Sequence, residues 1–322
     1  MDGHHSDFLV IGAGMAGLAS AAALARSGAR VTVLDKGRGP GGRMAARRVE
    51  IGGETVSFDH GAQYFTARDP AFRETVAAWV QAGVAARWPA AGGEAWVGVP
   101  GMNAPVRAMA EALDVRWSVR AERITRADAL WRVETDGPVF TAARVLVAVP
   151  AEQAAVLLAD AAPAFARLAG AVQSAPCWAL MAAFAEPLPI TLDCFRSETG
   201  PISWAARNSA KPGRAGGEAW VIHASPARSR QLIDRPAAEV AAILLADFLS
   251  ATGSAPAPPI HCDAHRWLYA LPQAPGSGGS GEGARFDAAL GLGIAGDWLH
   301  SPRIEGAWLS GRALAQMALA AS

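Results

Sequence analysis

One short stretch near the start restricts this chain more than anything else in it. Gly12-Ala13-Gly14-Met15-Ala16-Gly17 fits G-x-G-x-x-G. It follows an apolar run at 8–11 and opens an alanine-rich stretch at 15–27 closed by Gly28; a second apolar run at 31–34 then ends on Asp35. Strand, helix and strand in that order predict parallel strands bridged by a helix, hence an α/β sheet covered on both faces. Within the motif, Gly12 permits the tight turn, Gly14 lets the backbone approach a pyrophosphate, and Gly17 lets the helix pack closely on the strand. The helix start, with Met15 and Ala16, offers unpaired N–H groups to the phosphates. Asp35 lies 23 residues after Gly12, near the ~20 at which an acid meets a ribose diol. The chain is therefore expected to bind a dinucleotide.

Charge narrows the partner. With 29 Lys+Arg against 29 Asp+Glu, the excess positive charge that grips nucleic acid or anionic membrane is missing, so a small molecule is expected instead. A chain 51% hydrophobic and 18% charged buries a large core rather than staying disordered. Its three cysteines, Cys177, Cys194 and Cys262, form no CxxC; this suits a reduced, cytoplasmic setting and offers neither a disulfide framework nor a metal site. The first residues lack the pattern of a secretion signal, and no apolar run reaches the ~18 residues of a membrane span. His4 and His5 read as a solvated tail.

Further strands are expected at 116–124, 131–134 and 144–149, the last ended by Pro150. A helix over 69–84 takes Asp69 as N-cap and Pro70 as first residue. Another covers 235–250, where Val240, Ile243, Leu244 and Phe248 share one face. Segments 178–184 and 219–223 read as strands of a second sheet. The glycine-rich run at 275–283 comes after no strand and opens no helix, so it reads as a linker and not a phosphate loop. A strand at 290–295 and a helix at 306–321 then return the chain to its first domain.

The residues after Asp35 specify the dinucleotide. Lys36-Gly37-Arg38-Gly39-Pro40-Gly41-Gly42-Arg43-Met44 has adjacent glycines for close approach and, in Arg43, a planar fork for a phosphate. This GGR element resembles the one in flavoproteins of the amine oxidase and protoporphyrinogen oxidase superfamily. Gly296-Asp297-Trp298 resembles their second FAD fingerprint. The resemblance implies that Lys36, Gly42, Arg43 and Met44 join the FAD site, that Asp297 beside Gly296 binds the ribityl or pyrophosphate part, and that the backbone of Ile124 meets adenine. It also implies that the helix starting near Gly306 points at the flavin N1/O2 edge, where a helix N-terminus favours an anion by about 0.3–1 kcal/mol.

Phe58-Asp59-His60-Gly61-Ala62-Gln63-Tyr64-Phe65-Thr66-Ala67-Arg68, with His265-Arg266-Trp267-Leu268-Tyr269 and the segment from Arg303 to Gly311, is similar to the bacterial renalase-like flavoproteins. The fold implied is α/β: a Rossmann-like FAD-binding domain (1–50, 102–150, 285–322) interleaved with a smaller α+β substrate domain (51–101, 151–284) on a mostly antiparallel sheet. The implied activity is oxidation of dihydro-NAD(P) isomers to NAD(P)+ by hydride transfer to N5 of non-covalent FAD, with O2 taking the electrons to give H2O2. Gly61, Ala62 and Gln63 are expected near N5/O4, Gly306 and Ala307 near O2. Trp204, Asn208, His223, His265, Trp267 and Trp308 are the candidates for a substrate wall.

The chain has only two lysines, Lys36 and Lys211, and two tyrosines, Tyr64 and Tyr269. Amine oxidases of this superfamily place a lysine and water beside N5 and two tyrosines around the amine. Lys211 alone could serve, from a polar loop at 207–213, so oxidation of a small amine is the alternative activity. A non-enzymatic FAD-binding module is a further alternative. The final segment has no cysteine for a covalent flavin link.

Overall fold

The run at 8–11 is apolar on both faces, as a strand covered on two sides requires, and it lies inside an eight-stranded sheet. The computed structural model describes residues 4–214, 216–273 and 283–321. Strand His4–Ile11 pairs in parallel with Val31–Asp35 on one side and Phe140–Val147 on the other. Asp114–Trp117 and Leu292–Ala295 extend the sheet outward, also in parallel. Ala284–Asp287 adds an antiparallel edge, and Ala121–Ala127 with Leu130–Thr135 form an antiparallel extension on Phe140–Val147.

Alternate residues serve opposite faces. Val10 shares a core with Leu18 and Leu24 of helix Met15–Arg26 and Leu314 of helix Ile304–Ala320. Leu9 and Ile11 share the other, with Ala154 and Leu158. The two helices touch closely, because a side chain at Gly311 would overlap the Ala16 carbonyl. Helix Pro70–Gln81 starts as its sequence predicts, the Asp69 side chain accepting from the N–H groups of Ala71 and Phe72.

The second sheet is antiparallel throughout, in the order Cys194–Arg196, Ile202–Arg207, Glu218–Ala224, Gln173–Phe184, His261–Gln273. Period-two alternation divides its faces. Trp178, Leu180, Ala182, Trp220 and Ile222 pack with Val240, Leu244 and Phe248 of helix Ala237–Thr252. Met181, Ala183, Ala219 and Val221 pack with Val56 and Phe58 of the hairpin Arg47–Ile51/Glu54–Phe58.

Several expectations change. His4 and His5 open the first strand and are not a tail. The single strand expected over 116–124 is two, separated at Ser118, which takes φ 58°. The linker at 275–283 lies outside the described residues except for Gly283. Phe72, Val76, Trp79, Trp88 and Val97 share the core of Val10, and Ala151, Ala154, Leu158 and Ala169 that of Leu9, so these stretches pack on the parallel sheet. Among the described residues no helix is long and apolar enough to cross a membrane.

Candidate functional site

The motif glycines divide into two kinds. Side chains at Gly12 and Gly17 would overlap protein backbone, the carbonyl oxygens of Ala148 and Gly12 respectively, and Gly12 has φ +106°. Gly14 differs. Its backbone is extended (φ −79°, ψ −177°), and a Cβ built there would meet nothing within 4 Å. Gly42, at φ +52°, would meet only Gly14 Cα at 3.8 Å. Two glycines that the protein itself leaves open thus lie side by side. Helix Met15–Arg26 starts there with no capping side chain and no acid in its first turn, as an anion-binding helix start would. This cradle fits a dinucleotide pyrophosphate.

Around it, Arg43 and Asp297 make a bidentate pair, Nη1 to Oδ2 at 2.8 Å and Nη2 to Oδ1 at 2.6 Å, with Asp297 buried. Both acids of the site are held by protein donors. Asp35 accepts from Ala13 N at 2.7 Å and Gly37 N at 2.6 Å, so it clasps the glycine turn. Lys36 reaches Gln153 Oε1; Gly296 N donates to Ser310 Oγ; and Met44 is buried in the core. The side chain of Ile124, whose backbone is the one expected at adenine, is buried with Leu34, Trp131 and Val133. The backbone alongside Asp35 is that of Ser118 and Val119, whose N–H groups donate to Gly37 O and Asp35 O. At the far end, helix Ile304–Ala320 carries Gly306 and Ala307 in its first turn, and Glu305 Oε1 accepts from Arg68 N and Asp69 N.

Segment 59–63 rides on the GGR element. A side chain at Gly61 would overlap the Arg43 carbonyl, and that oxygen accepts from Ala62 N at 2.8 Å. Asp59 is fully buried; its Oδ1 accepts from Met102 N, and its Oδ2 from Lys211 and Arg214. Burial alone would raise the Asp59 pKa, but Lys211, Arg214 and the Met102 N–H hold it below the ordinary range. Gln63 Oε1 accepts from Lys211 Nζ at 3.0 Å, while its Nε2 donates to the carbonyls of Asp59 and Gly61 and lies 3.5 Å from His223 Nε2. Lys211, expected on a polar loop, has a side chain sealed from solvent, and burial pulls its pKa down to about 8.

Sheet register assembles the wall. Trp204, His223, Ala179 and His265 are successive partners across four strands, so their side chains share a face. His60 stacks on Trp267 (5.2 Å, 24°) and meets His265 edge-on (4.9 Å, 88°). Burial, reinforced by neighbouring cations or imidazoles, lowers His60 and His223 to about 4, so both are neutral at pH 7. Among the described residues, His60 Nδ1 and Trp204 Nε1 are buried without a hydrogen-bond partner.

One wall candidate falls elsewhere. Asn208 is fully buried and uses its amide internally, accepting from Asp59 N and donating to Ser57 O. Trp308 packs on Phe72 at 5.2 Å, in the apolar cluster that also holds Trp204. Three residues that the site needs were not among the candidates: Asp59, His60 and Arg214. The first two sit inside the Asp59–Gln63 motif already singled out, whereas nothing around Arg214 marks it.

Comparison with known proteins places the chain. Residues 10–79 match the NAD(P)-binding Rossmann-like domain, and residues 89–319 match the flavin containing amine oxidoreductases. A protein from Exiguobacterium sp. 255-15, provisionally described as a protoporphyrinogen oxidase, superposes with a TM-score of 0.77 at 14% identity, over 99% of this chain and 100% of that one. A putrescine oxidase mutant gives 0.67 at 14% identity, over 99% and 100%. Cyclohexylamine oxidase from Brevibacterium oxydans IH-35A gives 0.63 at 13%, over 97% and 98%. At these identities the likeness is one of fold.

Proposed function

Since the chain belongs to the flavin containing amine oxidoreductase family and is an FAD-dependent oxidoreductase, we propose that it is a renalase-like oxidase of dihydro-NAD(P) isomers. The products are NAD(P)+ and, with O2 as acceptor, H2O2. The observation that carries this reading is the wall of His60, Trp267 and His265, flat and, at His60, neutral. A dihydropyridine ring starts neutral and becomes a pyridinium cation as it is oxidised. Aromatic faces attract such a cation, more so where water is excluded. A donor of this kind loses no proton, so orientation dominates the work asked of the protein.

FAD, when bound, supplies the two-electron acceptor and passes the electrons to O2. Gly14 and Gly42 would make room for its pyrophosphate, the start of helix Met15–Arg26 and Arg43 would meet the phosphates, and Asp297 would hold the ribityl side. Gly61, Ala62 and Gln63 would border the ring on its N5/O4 side, Gly306 and Ala307 on its O2 side. Trp204 and His223 extend the wall on which the substrate ring is oriented.

One observation favours the second reading, oxidation of a small amine: Lys211 is buried against Gln63 rather than displayed on a loop. Anaerobic mixing of the FAD-loaded protein with a donor panel separates the two. Dihydro-NAD(P) isomers should bleach the flavin rapidly, ordinary NADH and amines slowly. Rapid bleaching by putrescine or cyclohexylamine with none by the isomers would overturn the proposal for the amine reading. Bleaching by no donor would leave a binding module.

A further inference from the structure

The segment expected at the flavin N5/O4 edge is backed by buried charges that do not balance. Asp59, Lys211 and Arg214 have side chains with no solvent exposure. Both cations bind one carboxylate oxygen, Lys211 Nζ and Arg214 Nε each at 3.2 Å from Asp59 Oδ2. Among the described residues neither cation has a second ion pair. Two positive charges against one negative leave a surplus of one, and an uncompensated buried charge is costly. It is met only by neutral groups: Gln63 Oε1, the carbonyls of Gly98 and Pro212, and the face of Trp88.

Of these, Gln63 alone leads toward the site. Its oxygen takes the Lys211 ammonium, and its amide nitrogen binds the Gly61 carbonyl and approaches His223. An amide aligned this way extends the field of the ammonium in the same direction, in surroundings of low dielectric.

We propose that the surplus positive charge of Asp59, Lys211 and Arg214, aligned through Gln63, is an electrostatic device that stabilises negative charge on the N5/O4 side of the bound flavin. Lys211 and Arg214 are then positioning residues, and the number of charges matters more than which cation supplies them. This rests on the reading that residues 61–63 border that edge.

Sulfite tests it apart from turnover. Its sulfur lone pair forms a bond to flavin N5 as the N5=C4a π bond opens; that electron pair moves into the ring toward N1 and the sulfonate keeps its negative charge at N5, so the dissociation constant, read from flavin absorbance, reports stabilisation of an anion beside N5. Lys211→Gln and Arg214→Gln each leave one cation facing Asp59, a balanced pair of charges. Both should bind sulfite about tenfold more weakly or worse, while Lys211→Arg should stay near wild type. If neither Gln variant retains FAD, the wild-type protein gives the same reading: affinity for the sulfite dianion should fall as Lys211 loses its proton near pH 8. Asp59, Arg214, Cys194 and His223 are the other charged or titratable groups coupled to Lys211.

Sulfite affinities within twofold of wild type in both Gln variants, or a dianion affinity flat through pH 8, would overturn the proposal. Gln63→Glu separates this failure from that of the underlying reading. A spectrum and sulfite affinity unchanged in Gln63→Glu would show that the segment does not border the flavin. A change there, with none in the Lys211 and Arg214 variants, would show that it does and that the surplus charge is not felt.

Discussion

The proposed pyrophosphate cradle and the proposed substrate wall are built by different means. The cradle is backbone: Gly14 and Gly42 lie side by side with open Cβ positions beside a helix start without a capping side chain. The wall is side chains brought together by strand register, with Trp204, His223 and His265 on three different strands and His60 and Gln63 on a loop behind them. A backbone site depends on what each residue lacks, a side-chain site on what it carries and on its neighbours' ionisation. The cradle should therefore break through steric insertion and be indifferent to mild acid. The wall should do the reverse.

The largest effect should come from the two kinds of glycine. Gly17→Val places atoms inside the Gly12 carbonyl, so the turn cannot close and no folded, yellow protein is expected. Gly14→Val meets no protein atom within 4 Å at its Cβ. It should keep the wild-type circular dichroism while FAD affinity drops by roughly 100-fold, about 2.7 kcal/mol. Full flavin occupancy in Gly14→Val would remove Gly14 from the cradle, and loss of the fold would mean that the protein, not the ligand, needs this glycine.

Acid should act on the wall. His60 and His223 have folded-state pKa values near 4 against an ordinary 6.5, so between those values the unfolded chain binds more protons. Stability is then fully present above pH 6.5 and is lost as pH falls from 6.5 toward 4, by at most about 3 kcal/mol for each histidine. The lowered pKa of Asp59 adds a loss in the same direction at still lower pH. Denaturant titrations at steps between pH 7 and 4.5 measure this slope. His60→Asn and His223→Asn should each flatten it, and an unchanged slope in both variants would contradict the burial argument.

The same difference in construction explains what could be read in advance. Gly12, Gly14, Gly17 and Asp35 announce a turn because all the relevant contacts lie within one strand–helix–strand unit, and the Asp69 cap is more local still. Lys211 could not be read that way. Its burial depends on Asp59, 152 residues earlier, and its loop is polar because the polar groups pair with one another. The contact of Trp308 with Phe72 was hidden for a related reason: the spacing that predicts a helix does not say which neighbour each face meets. Ser118 takes a left-handed backbone conformation that glycine would have signalled, so the break between two strands left no mark.

The smallest effect concerns the joint between the two regions. Glu305 stands in the first turn of helix Ile304–Ala320, one residue before Gly306, and ties down Arg68 N and Asp69 N at 2.6 and 2.7 Å. Glu305→Gln keeps an acceptor but removes the charge that strengthens both bonds and suits the helix start. It should cost about 1 kcal/mol of stability, measured by urea unfolding, with FAD affinity held within a few-fold. A joint that only fastens the loop end to the helix behaves this way. A tenfold or greater loss of FAD affinity at that small cost in stability would instead make Glu305 part of the cradle, and the division between a backbone-built site and a side-chain-built one would fail at this point.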